Sequence, residues 1–336
     1  MQLKENFSLK KYNTFKIDAY AKYFAEFSSA DSLSDILTVK KNSKKMILGG
    51  GSNILFIKNF DGLILKNAIP GIDVTGDDDE HVYIKVGAGV NWHEFVMYCV
   101  SRNIGGVENL SLIPGNTGAS PMQNIGAYGV EIKDVFHELE AMHLEENSVQ
   151  TFKNADCRFG YRDSIFKKKY KDQFAILNVT FRLQKKPAYN ISYGAIEDEL
   201  KKMNVENLSI KAISDAVIKI RKSKLPDPEL IGNAGSFFKN PEVRVNQLHQ
   251  LTQIEPGIPS FKINDDAFKI PAGWLIEQCG WKGYKKGDAG CYDKQALVLV
   301  NYGKATGKEI YNLSEEIKIS VKEKFVIALE TEVNII

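Results

Sequence analysis

The sequence predicts a protein of mixed strands and helices, organised in two or three domains. Its 336 residues exceed the usual length of a single domain. Strand-like and helix-like hydrophobic patterns alternate along the chain, whereas the glycine-rich residues 113–129 follow neither period. A content of 43% hydrophobic and 26% charged residues is typical of a globular protein with a substantial core.

Composition argues against several classes of partner. The net charge of +2 gives no overall field that would favour nucleic acid or a membrane surface. The first residues carry charge throughout, unlike a signal peptide, and no apolar run approaches the ~20 residues that span a bilayer. The cysteines, Cys99, Cys157, Cys279 and Cys291, form no C-x-x-C pair and no zinc spacing. We therefore predict a cytoplasmic protein with buried or free thiols and no bound metal.

The first third of the chain predicts strands that alternate with two helices. Asp31 or Ser32 is a candidate N-cap for a helix that runs to about Lys40, and Asn91 caps a helix over Trp92–Arg102. The predicted strands are residues 20–27, 45–48, 54–57, 62–66 and 81–86, and residues 76–80 form an acidic turn.

The rest of the chain predicts a β-hairpin, a long strand and then a mainly helical region. The apolar helix face of Ile213, Val217 and Ile220 is followed by Lys224–Pro228, where two prolines stop the helix and indicate a domain boundary. The predicted strands are 135–144, 149–152, 173–183, 295–301 and 326–336, and the predicted helices are 195–203, 212–222, 244–253, 272–279 and 307–324.

The segment 113–129 predicts a ligand contact in preference to a packed surface loop. Gly115, Gly118, Gly126 and Gly129 let the backbone approach a ligand closely, and consecutive free N–H groups form a concavity that binds anions. Apolar residues, among them Ile113, argue against disorder. Because long aperiodic loops are usually functional or disordered, we expect this one to lie along the pyrophosphate and ring system of a cofactor.

Two further glycine-rich turns follow strands. Gly49–Asn53 has the composition of a phosphate cradle, although a tight turn between strands explains it equally well. Gly87–Gly89, followed by a helix, is similar to part of a dinucleotide fingerprint, but Trp92 stands where the third glycine would be. This incomplete pattern does not predict a Rossmann fold.

Three positions carry residue types suited to catalysis. Arg162 could hold a carboxylate bidentately, although a surface pair with Asp163 is the simpler interpretation. Ser236, at the start of a predicted strand, suits a proton donor or a nucleophile, although glycine-flanked serines are common in turns. Glu330 and Glu332 point the same way from the predicted terminal strand, and Arg162 is a candidate partner for them.

Taken together, these motifs resemble the UDP-N-acetylenolpyruvoylglucosamine reductase family. The resemblance starts at Asn13 and covers the rest of the chain, and the ordered series of matches makes it specific. Its segments are Leu-Gly-Gly-Gly-Ser-Asn (48–53), the Ile-Pro-Gly to Gly-Ala-Tyr-Gly segment (113–129), Phe-Gly-Tyr-Arg-Asp-Ser (159–164), Lys-Leu-Pro-Asp-Pro (224–228), Gly-Asn-Ala-Gly-Ser-Phe-Phe-Lys-Asn-Pro (232–241), 272–279, 295–298 and 329–333. Residues 190–194 resemble the longer family type, in which a tyrosine loop folds over the substrate.

The resemblance implies an α+β protein with an FAD-binding fold of the vanillyl-alcohol-oxidase (PCMH) kind. Two flavin-binding subdomains, 1–69 and 70–223, would precede a C-terminal α+β domain for the UDP-sugar, 224–325, and residues 326–336 would pack back on the first subdomain. The implied FAD contacts are Gly49, Gly50, Gly51, Ser52, Asn53, Ile113, Gly115, Ser120, Asn124, Ile125 and Gly129. The implied substrate contacts are Tyr193, Lys224, Asn240, Lys269, Lys282 and Gln295, and lysines suit a diphosphate.

The same resemblance places the catalytic groups at Arg162, Ser236 and Glu332. It implies non-covalent FAD and NADPH as co-substrate, with hydride delivered to an enolpyruvyl methylene carbon, a proton from Ser236, and an enolate stabilised by Arg162 and Glu332. Thr331 departs from the proline that usually separates the two terminal glutamates. The reaction belongs to peptidoglycan precursor synthesis, and we expect a monomer that acts on small molecules.

Two alternatives stay open at this point. An FAD-dependent oxidase could use the same fold, although the arginine, serine and glutamate together with the lysines favour a reductase acting on a charged UDP-sugar. A covalently flavinylated oxidase would usually need a histidine or cysteine in the flavin loop, and residues 113–129 contain neither. A UDP-sugar-binding regulator would need no flavin, which would leave the two glycine-rich loops without a purpose.

Overall fold

The computed structural model describes residues 2–336. They form two compact units, each assembled from separate stretches of the chain. The first unit contains the residues up to Phe7, Tyr20–Gly51 and Phe60–Ser223, and the second contains Ser8–Ala19, Ser52–Asn59 and Lys224–Ile336. The predicted domain limits at 69, 223 and 325 stay predictions.

Three parallel strands and one helix form the first layer of the first unit. Strand Tyr20–Phe27 pairs with Phe60–Asn67, which pairs with Lys45–Leu48, and Lys4–Ser8 is the other edge strand of this sheet. Helix Ala30–Val39 packs its buried apolar stripe on the sheet. The β-branched and leucine-rich strands suit a sheet that is covered on a face by a helix.

The helix Ala30–Val39 begins earlier than its predicted caps. Ser29 is the N-cap, because its hydroxyl accepts from Ser32 N at 3.1 Å while Ser32 Oγ accepts from Ser29 N at 3.0 Å. The prediction of Asp31 or Ser32 as the cap was therefore wrong. A serine at the third helical position can take the role that glutamate usually has in a capping box, which shifts the start of the helix.

Five antiparallel strands form the second sheet of this unit. Their order is Val149–Lys153, Phe136–His143, Phe174–Gln184, His81–Gly87 and Ile72–Asp77, which confirms the predicted hairpin of 135–144 and 149–152. Gly76 and Asp77 pair with Tyr83 and Val82, so the predicted acidic turn at 76–80 is partly wrong. The strand continues because exposed acidic residues at a sheet edge remain solvated.

Helix Trp92–Ser101 packs its apolar residues against the second sheet and forms part of the same core. Asn91 caps it as predicted, accepting from His93 N and Glu94 N. Trp92 packs edge-on against Phe181 of the sheet, at 5.8 Å between ring centroids, and its indole N–H donates to Leu110 O at 2.9 Å. A large ring is buried with its polar atom paired, which makes this helix a firm support for the loop that follows it.

Two helices close the first unit. Gly194–Lys202 and Ile210–Lys224 pack around a small cluster that includes Ile196, Ile213 and Val217, which confirms the predicted apolar face of the second helix. The short elements of this unit are Glu108–Leu110, Thr117–Ala119, Pro121–Gln123, Gly126–Ala127, Val130–Glu131, Ile132–Asp134, Asn154–Cys157 and Ile165–Lys167.

The second unit contains two small antiparallel sheets and three helices. One sheet has the order Gly232–Ser236, Val298–Asn301, Ala289–Cys291, Lys285–Lys286, and the other has the order Glu242–Arg244, Ala267–Lys269, Phe261–Lys262. The helices are Val245–Ile254, Ala272–Gln278 and Gly307–Phe325, and Lys10–Tyr12 is a single 3-10 turn. A strand was predicted from residue 295, but it begins at 298 because Gln295 O accepts from Val298 N in a turn.

Residues from the early part of the chain complete the core of this unit. Phe15 O accepts from Asn301 Nδ2 at 2.9 Å, and a side chain at Gly232 would lie 2.5 Å from the same carbonyl oxygen. The ring of Phe15 lies edge-on to Phe237 at 6.2 Å. Asn301 and Gly232 are consequently fixed by a stretch more than 200 residues away in the sequence.

The predicted strand over 326–336 is wrong for most of its length. Val326 ends the preceding helix in the left-handed conformation, with φ of 58°, and only Asn334–Ile335 is a strand, paired in parallel with Ile54–Leu55. Thr331 makes an isolated bridge to Phe238. The segment passes from one pairing partner to another, so no continuous ladder can form. The predicted strand 54–57 is shortened to the two residues that pair here.

No helix within residues 2–336 is both long and apolar enough to cross a bilayer. The same residues contain no group of three histidine, cysteine or acidic side chains that could hold a metal ion. All four cysteines are free thiols, and Cys279 alone among them is not fully buried.

Candidate flavin site and active site

The two glycine-rich loops predicted to bind the cofactor lie against each other in the first unit. A side chain at Gly50 would place its Cβ 2.7 Å from Asn116 Oδ1 and 2.8 Å from Gly115 Cα. Gly115 has a φ of +110°, which other residues rarely adopt, and its carbonyl accepts from Trp92 N at 2.9 Å. Glycine is therefore required in both loops at this contact. Without side chains there, the backbones of the two loops are accessible to a ligand at the same place.

The side chains of Ser120 and Asn124 hold the longer loop in shape. Ser120 Oγ donates to Thr117 O at 2.7 Å. Asn124 is fully buried; its Nδ2 donates to Gly160 O at 3.0 Å, and its Oδ1 accepts from Lys133 N at 3.0 Å. Their hydrogen bonds rigidify the loop, so any contribution to FAD would come through the backbone that they position.

The remaining predicted FAD contacts of the first unit flank this loop. Ile113 and Ile125 are partly buried against the core of the second sheet. Gly129 has a φ of +81°, and Gly51 has a φ of +66°. The structure therefore brings the first-unit contacts onto two adjoining loops, whereas Ser52 and Asn53 belong to the second unit.

A cavity of about 120 Å³ opens beside both loops. Gly49 of the first loop and Gly118 and Ala119 of the second line it, together with the aromatic residues Phe166 and Tyr170. An apolar cavity of about 150 Å³ holds a benzene molecule, so a space on this scale accepts part of a flat ring system and not a whole dinucleotide. Glycine backbone beside an aromatic wall fits the phosphate and ring portions of FAD.

Four residues around the loops have left-handed backbone conformations although they are not glycine. They are Leu112, Asn124, Tyr128 and Arg162, with φ between 44° and 59°. Such conformations cost of order 1–3 kcal/mol each and concentrate at functional sites. The surrounding hydrogen bonds must therefore hold this region against local strain.

Arg162 is turned towards the flavin loop. Its Nη2 donates to Gly126 O at 2.7 Å, while Asp163 forms an ion pair with Lys168. Asp163 thus has another ion-pair partner and Arg162 is half-buried, so these contacts favour a role for Arg162 at the flavin loop over a surface pair with Asp163.

Sequence reasoning missed Arg221, which lies close to this arginine. Burial lowers the pKa of Arg221 from its usual value; its hydrogen bond to Tyr128 opposes that effect, and the charge of Arg162 adds to it. Its Nε donates to Leu112 O at 3.3 Å. A usable signal was present, since Arg221 continues the four-residue spacing of the apolar face at 213 and 217, where a charged residue is unexpected.

His93 supports the loop from the adjacent helix. Its Nδ1 accepts from Leu112 N at 3.0 Å, which requires that nitrogen to be unprotonated. Burial, followed by the charges of Arg221 and Lys222, lowers the pKa of His93, and Glu94 opposes this. The loop therefore depends on a neutral imidazole.

Ser236 and Glu332 lie on neighbouring stretches of the second unit. Glu332 N donates to Phe237 O at 2.9 Å, directly after Ser236. Ser236 is the last residue of its strand and not the first as predicted, because Gly235, with a φ of +68°, breaks the pairing and Phe237 resumes it with Leu297 O. The structure thus brings together two members of the predicted trio; the place of Arg162 beside them stays a prediction.

The two terminal glutamates have different surroundings. Glu330 is exposed and pairs with Lys239 at 3.0 Å, whereas Glu332 is half-buried. A shared partner for both glutamates is therefore not needed in this unit. Glu332 is the better candidate for chemistry because its carboxylate is partly shielded from water.

The predicted substrate contacts of the second unit gather partly around helix Ala272–Gln278. Asn240 Oδ1 accepts from Ala272 N at 2.9 Å, and a side chain at Gly273 would meet Gln295 Oε1 at 2.8 Å. Lys282 pairs with Glu277 at 2.8 Å at the far end of this helix. Of the other predicted substrate contacts, Lys224 is exposed at a helix end and Lys269 is half-buried in its strand. Asn53, a predicted FAD contact that belongs to this unit, donates from Nδ2 to Glu332 O at 3.3 Å.

The fold and the glycine loops define an FAD-binding oxidoreductase with a separate C-terminal domain, as the sequence predicted. Residues 21–151 match the sequence model of an FAD binding domain. Residues 227–336 match that of the C-terminal domain of UDP-N-acetylenolpyruvoylglucosamine reductase. The chain belongs to the UDP-N-acetylenolpyruvoylglucosamine reductase family.

Similarity to individual proteins extends over the whole chain. The chain is 50% identical over 337 residues to UDP-N-acetylenolpyruvoylglucosamine reductase of Flavobacterium johnsoniae, with 100% of both chains covered. It is also 50% identical over 338 residues to the reductase of Amoebophilus asiaticus, again with 100% of both covered. The crystal structure of UDP-N-acetylenolpyruvylglucosamine reductase from Thermus caldophilus superposes with a TM-score of 0.71 at 22% identity, covering 100% and 99% of the two chains.

These similarities confirm the predicted family, the FAD-binding fold and an enzyme that uses FAD. The alternative of a UDP-sugar-binding regulator without flavin is set aside, because the chain contains an FAD-binding domain and belongs to an enzyme family.

Proposed function

We propose that the protein reduces UDP-N-acetylglucosamine enolpyruvate to UDP-N-acetylmuramate, with NADPH as the electron donor, in peptidoglycan precursor synthesis. Full-length similarity to reductases of that name supports the substrate. The observation in the structure that supports the chemistry is the hydrogen bond from Glu332 N to Phe237 O, which brings the backbone of Glu332 next to the residue that follows Ser236.

The overall change adds one hydride and one proton across the carbon–carbon double bond of the enolpyruvyl ether. The Gly49–Gly51 and 113–129 loops would hold FAD, which when bound would supply the hydride, with NADPH as the source of the electrons. Negative charge then develops on the carbon next to the carboxylate. Arg162 stabilises that charge electrostatically and stays protonated at any working pH, so it needs no proton transfer of its own.

Ser236 gives the proton that completes the lactyl ether. A hydroxyl is a weak acid, so it needs a neighbour that orients it and a developing carbanion that pulls the proton. Glu332 takes that orienting place, and the carboxylate of the substrate is a ligand for the guanidinium of Arg162. Removing one positioned proton donor typically costs 10²–10⁴-fold in rate.

Charged and amide side chains of the second unit recognise the UDP-sugar. Lys224, Lys269 and Lys282 supply ammonium groups for the diphosphate, because a compact cation suits phosphate oxygens. Asn240 and Gln295, grouped at the start of one helix, offer amides to the sugar or base. Tyr193, which is half exposed in the first unit, contacts the same substrate. The monomeric state and the cytoplasmic location stay predictions.

The test separates flavin reduction from substrate reduction. Purified Ser236→Ala protein is mixed anaerobically with NADPH and then with the enolpyruvyl sugar, while flavin absorbance is followed. We expect normal bleaching by NADPH and a 10²–10⁴-fold slower recovery with the sugar. Ser260→Ala, at an exposed position of the same unit, is the control and should match the wild type.

Near-normal turnover of Ser236→Ala would show that this serine is not the proton donor. Wild-type flavin that NADPH does not bleach, or that the enolpyruvyl sugar does not reoxidise, would contradict the reductase itself. Rapid reoxidation by oxygen with a sugar alcohol as reductant would instead support the oxidase alternative.

A further inference from the structure

Two asparagines join the flavin loop to the segment that precedes helix Gly194–Lys202. Asn109 Nδ2 donates to both Tyr128 O and Asn190 O, each at 2.9 Å. Asn190 Nδ2 donates in turn to Gly129 O at 3.1 Å. The last two carbonyls of the 113–129 loop therefore accept from side-chain amides, and one of these amides belongs to the other segment.

Asn109 is anchored in a buried turn, which limits its movement. Asn109 is 1% exposed and lies in the turn Glu108–Leu110, whose three residues are all buried. Glu108 Oε2 accepts from Gly106 N at 2.7 Å, which fixes the start of that turn. An amide that satisfies two carbonyls from such a site has little freedom to move, because an unpaired buried carbonyl costs about 1–3 kcal/mol.

The linked segment carries Tyr193. Asn190 Oδ1 accepts from Ser192 N and Ser192 Oγ, at 3.3 and 2.8 Å, so the turn before Tyr193 is tied to the same amide group. The ring of Tyr193 lies edge-on to that of Tyr128 with 5.4 Å between centroids, although 49% of Tyr193 is exposed. An exposed ring at the surface thus takes its place from contacts with the flavin loop.

We propose that Asn109 and Asn190 are positioning residues that fix Tyr193 relative to the flavin loop and thereby couple cofactor binding to substrate binding. The proposal rests on the proposed function, in which Gly129 contacts FAD and Tyr193 contacts the UDP-sugar. Cofactor that restrains Tyr128 and Gly129 restrains the two amides as well, and Tyr193 through them. The coupling is reciprocal, so bound substrate tightens FAD binding by the same factor.

The variant Asn190→Asp isolates the link. A carboxylate keeps an acceptor for Ser192 but removes the N–H that reaches Gly129. Asn154→Asp is the matched control, because Asn154 Nδ2 also bridges two carbonyls, Lys133 O at 2.9 Å and Phe136 O at 3.2 Å. Substitution of the fully buried Asn109 could unfold the protein, so half-buried Asn190 is the position of choice.

The first measurement is amide hydrogen exchange of residues 188–194. In the holoenzyme we expect exchange three- to tenfold faster in Asn190→Asp than in the wild type, the effect of one hydrogen bond, with no change in Asn154→Asp. Removal of FAD should accelerate the same amides in the wild type and have less effect in Asn190→Asp. Equal exchange in the wild type and Asn190→Asp, or an undiminished FAD effect in the variant, would overturn the proposal.

The second measurement is the affinity of the oxidised holoenzyme for the enolpyruvyl UDP-sugar. The apparent Kd equals the intrinsic Kd divided by the fraction of protein in which the Tyr193 segment is correctly placed. If Asn190→Asp lowers that fraction three- to tenfold, the Kd for the sugar should rise by the same factor. In a Tyr193→Ala background the same substitution should change Kd less than twofold, because the group being positioned is gone. Additive effects of the two substitutions would contradict a positioning role. A wild-type holoenzyme that does not bind this sugar would refute the proposed function while leaving the exchange result intact.

Discussion

Replacing Gly50 by alanine should weaken FAD binding by forcing two loops apart. The added Cβ would lie 2.8 Å from Gly115 Cα, whereas ordinary contact begins at 3.4 Å, so the backbones must separate by at least 0.6 Å. Gly115 cannot yield by rotating a side chain, because the clash is with its backbone.

The expected magnitude follows from hydrogen-bond geometry. An amide held about 2.9 Å from a phosphate oxygen would move to about 3.5 Å, beyond the useful range. A hydrogen bond to a charged group contributes about 1.5–3 kcal/mol, so the loss of one raises the Kd for FAD about 10- to 150-fold.

Titration of flavin-free protein with FAD, followed by quenching of flavin fluorescence, measures the change. Gly76→Ala is the control, since no heavy atom lies within 4 Å of a Cβ at Gly76 and the residue belongs to the same unit. If Gly50→Ala binds FAD within twofold of both Gly76→Ala and the wild type, the two loops do not form the phosphate cradle.

Three further perturbations test other parts of the structure. Gly307→Ala would place a Cβ 1.7 Å from Phe56 O. Overpacking of this kind lowers the free energy of unfolding by about 1–3 kcal/mol or more, so calorimetry should show a clearly lower Tm. An unchanged Tm would contradict this packing. Because the pKa of His93 is lowered in the folded state, that state binds fewer protons than the unfolded chain. The contribution of His93 to the free energy of unfolding is therefore fully present above about pH 6.5 and is lost as pH falls through the folded pKa. His93→Gln should reduce the decrease in Tm between neutral and acidic pH, and the same decrease in variant and wild type would refute the role of a neutral imidazole. Cys279 should react first with a thiol reagent in the native protein, since the other three cysteines are buried; simultaneous reaction of all four would argue against this core.

Regular elements were predictable because their signals are local. The strands at 20–27 and 45–48 have the predicted limits, and the helices that begin at 92, 272 and 307 start where predicted. Asn91 illustrates the reason, since an N-cap followed by an apolar period is decided within a few residues of sequence.

Tertiary partners decided the elements that were predicted wrongly. The alternating pattern near the end of the chain resembled one strand, but Thr331 and Asn334–Ile335 pair with different segments, and no local pattern encodes that change of partner. The position of Ser236 within its strand was misplaced for a related reason, since the break at Gly235 depends on the pairing with Leu297.

Motifs identified most of the candidate site because glycine and catalytic residue types are visible in sequence. Arg221, Asn109 and Asn190 were missed because each acts on backbone carbonyls of a remote loop. Arg221 alone left a signal, a charge at the spacing of an apolar helix face. A buried asparagine that bonds a carbonyl 81 residues away has no such signature.

Because the second unit is built from three separate stretches of the chain, a C-terminal fragment does not contain all of it. A fragment that starts at Lys224 omits Phe15, whose carbonyl Asn301 requires, and Ile54–Leu55, which Asn334–Ile335 requires as a pairing partner. Contacts this distant in sequence form slowly, and a ribosome-bound chain cannot complete the second unit until its last residues have been made. We expect such a fragment to expose apolar surface and precipitate, so the region matched by the C-terminal family model is an evolutionary module without being an autonomous folding unit.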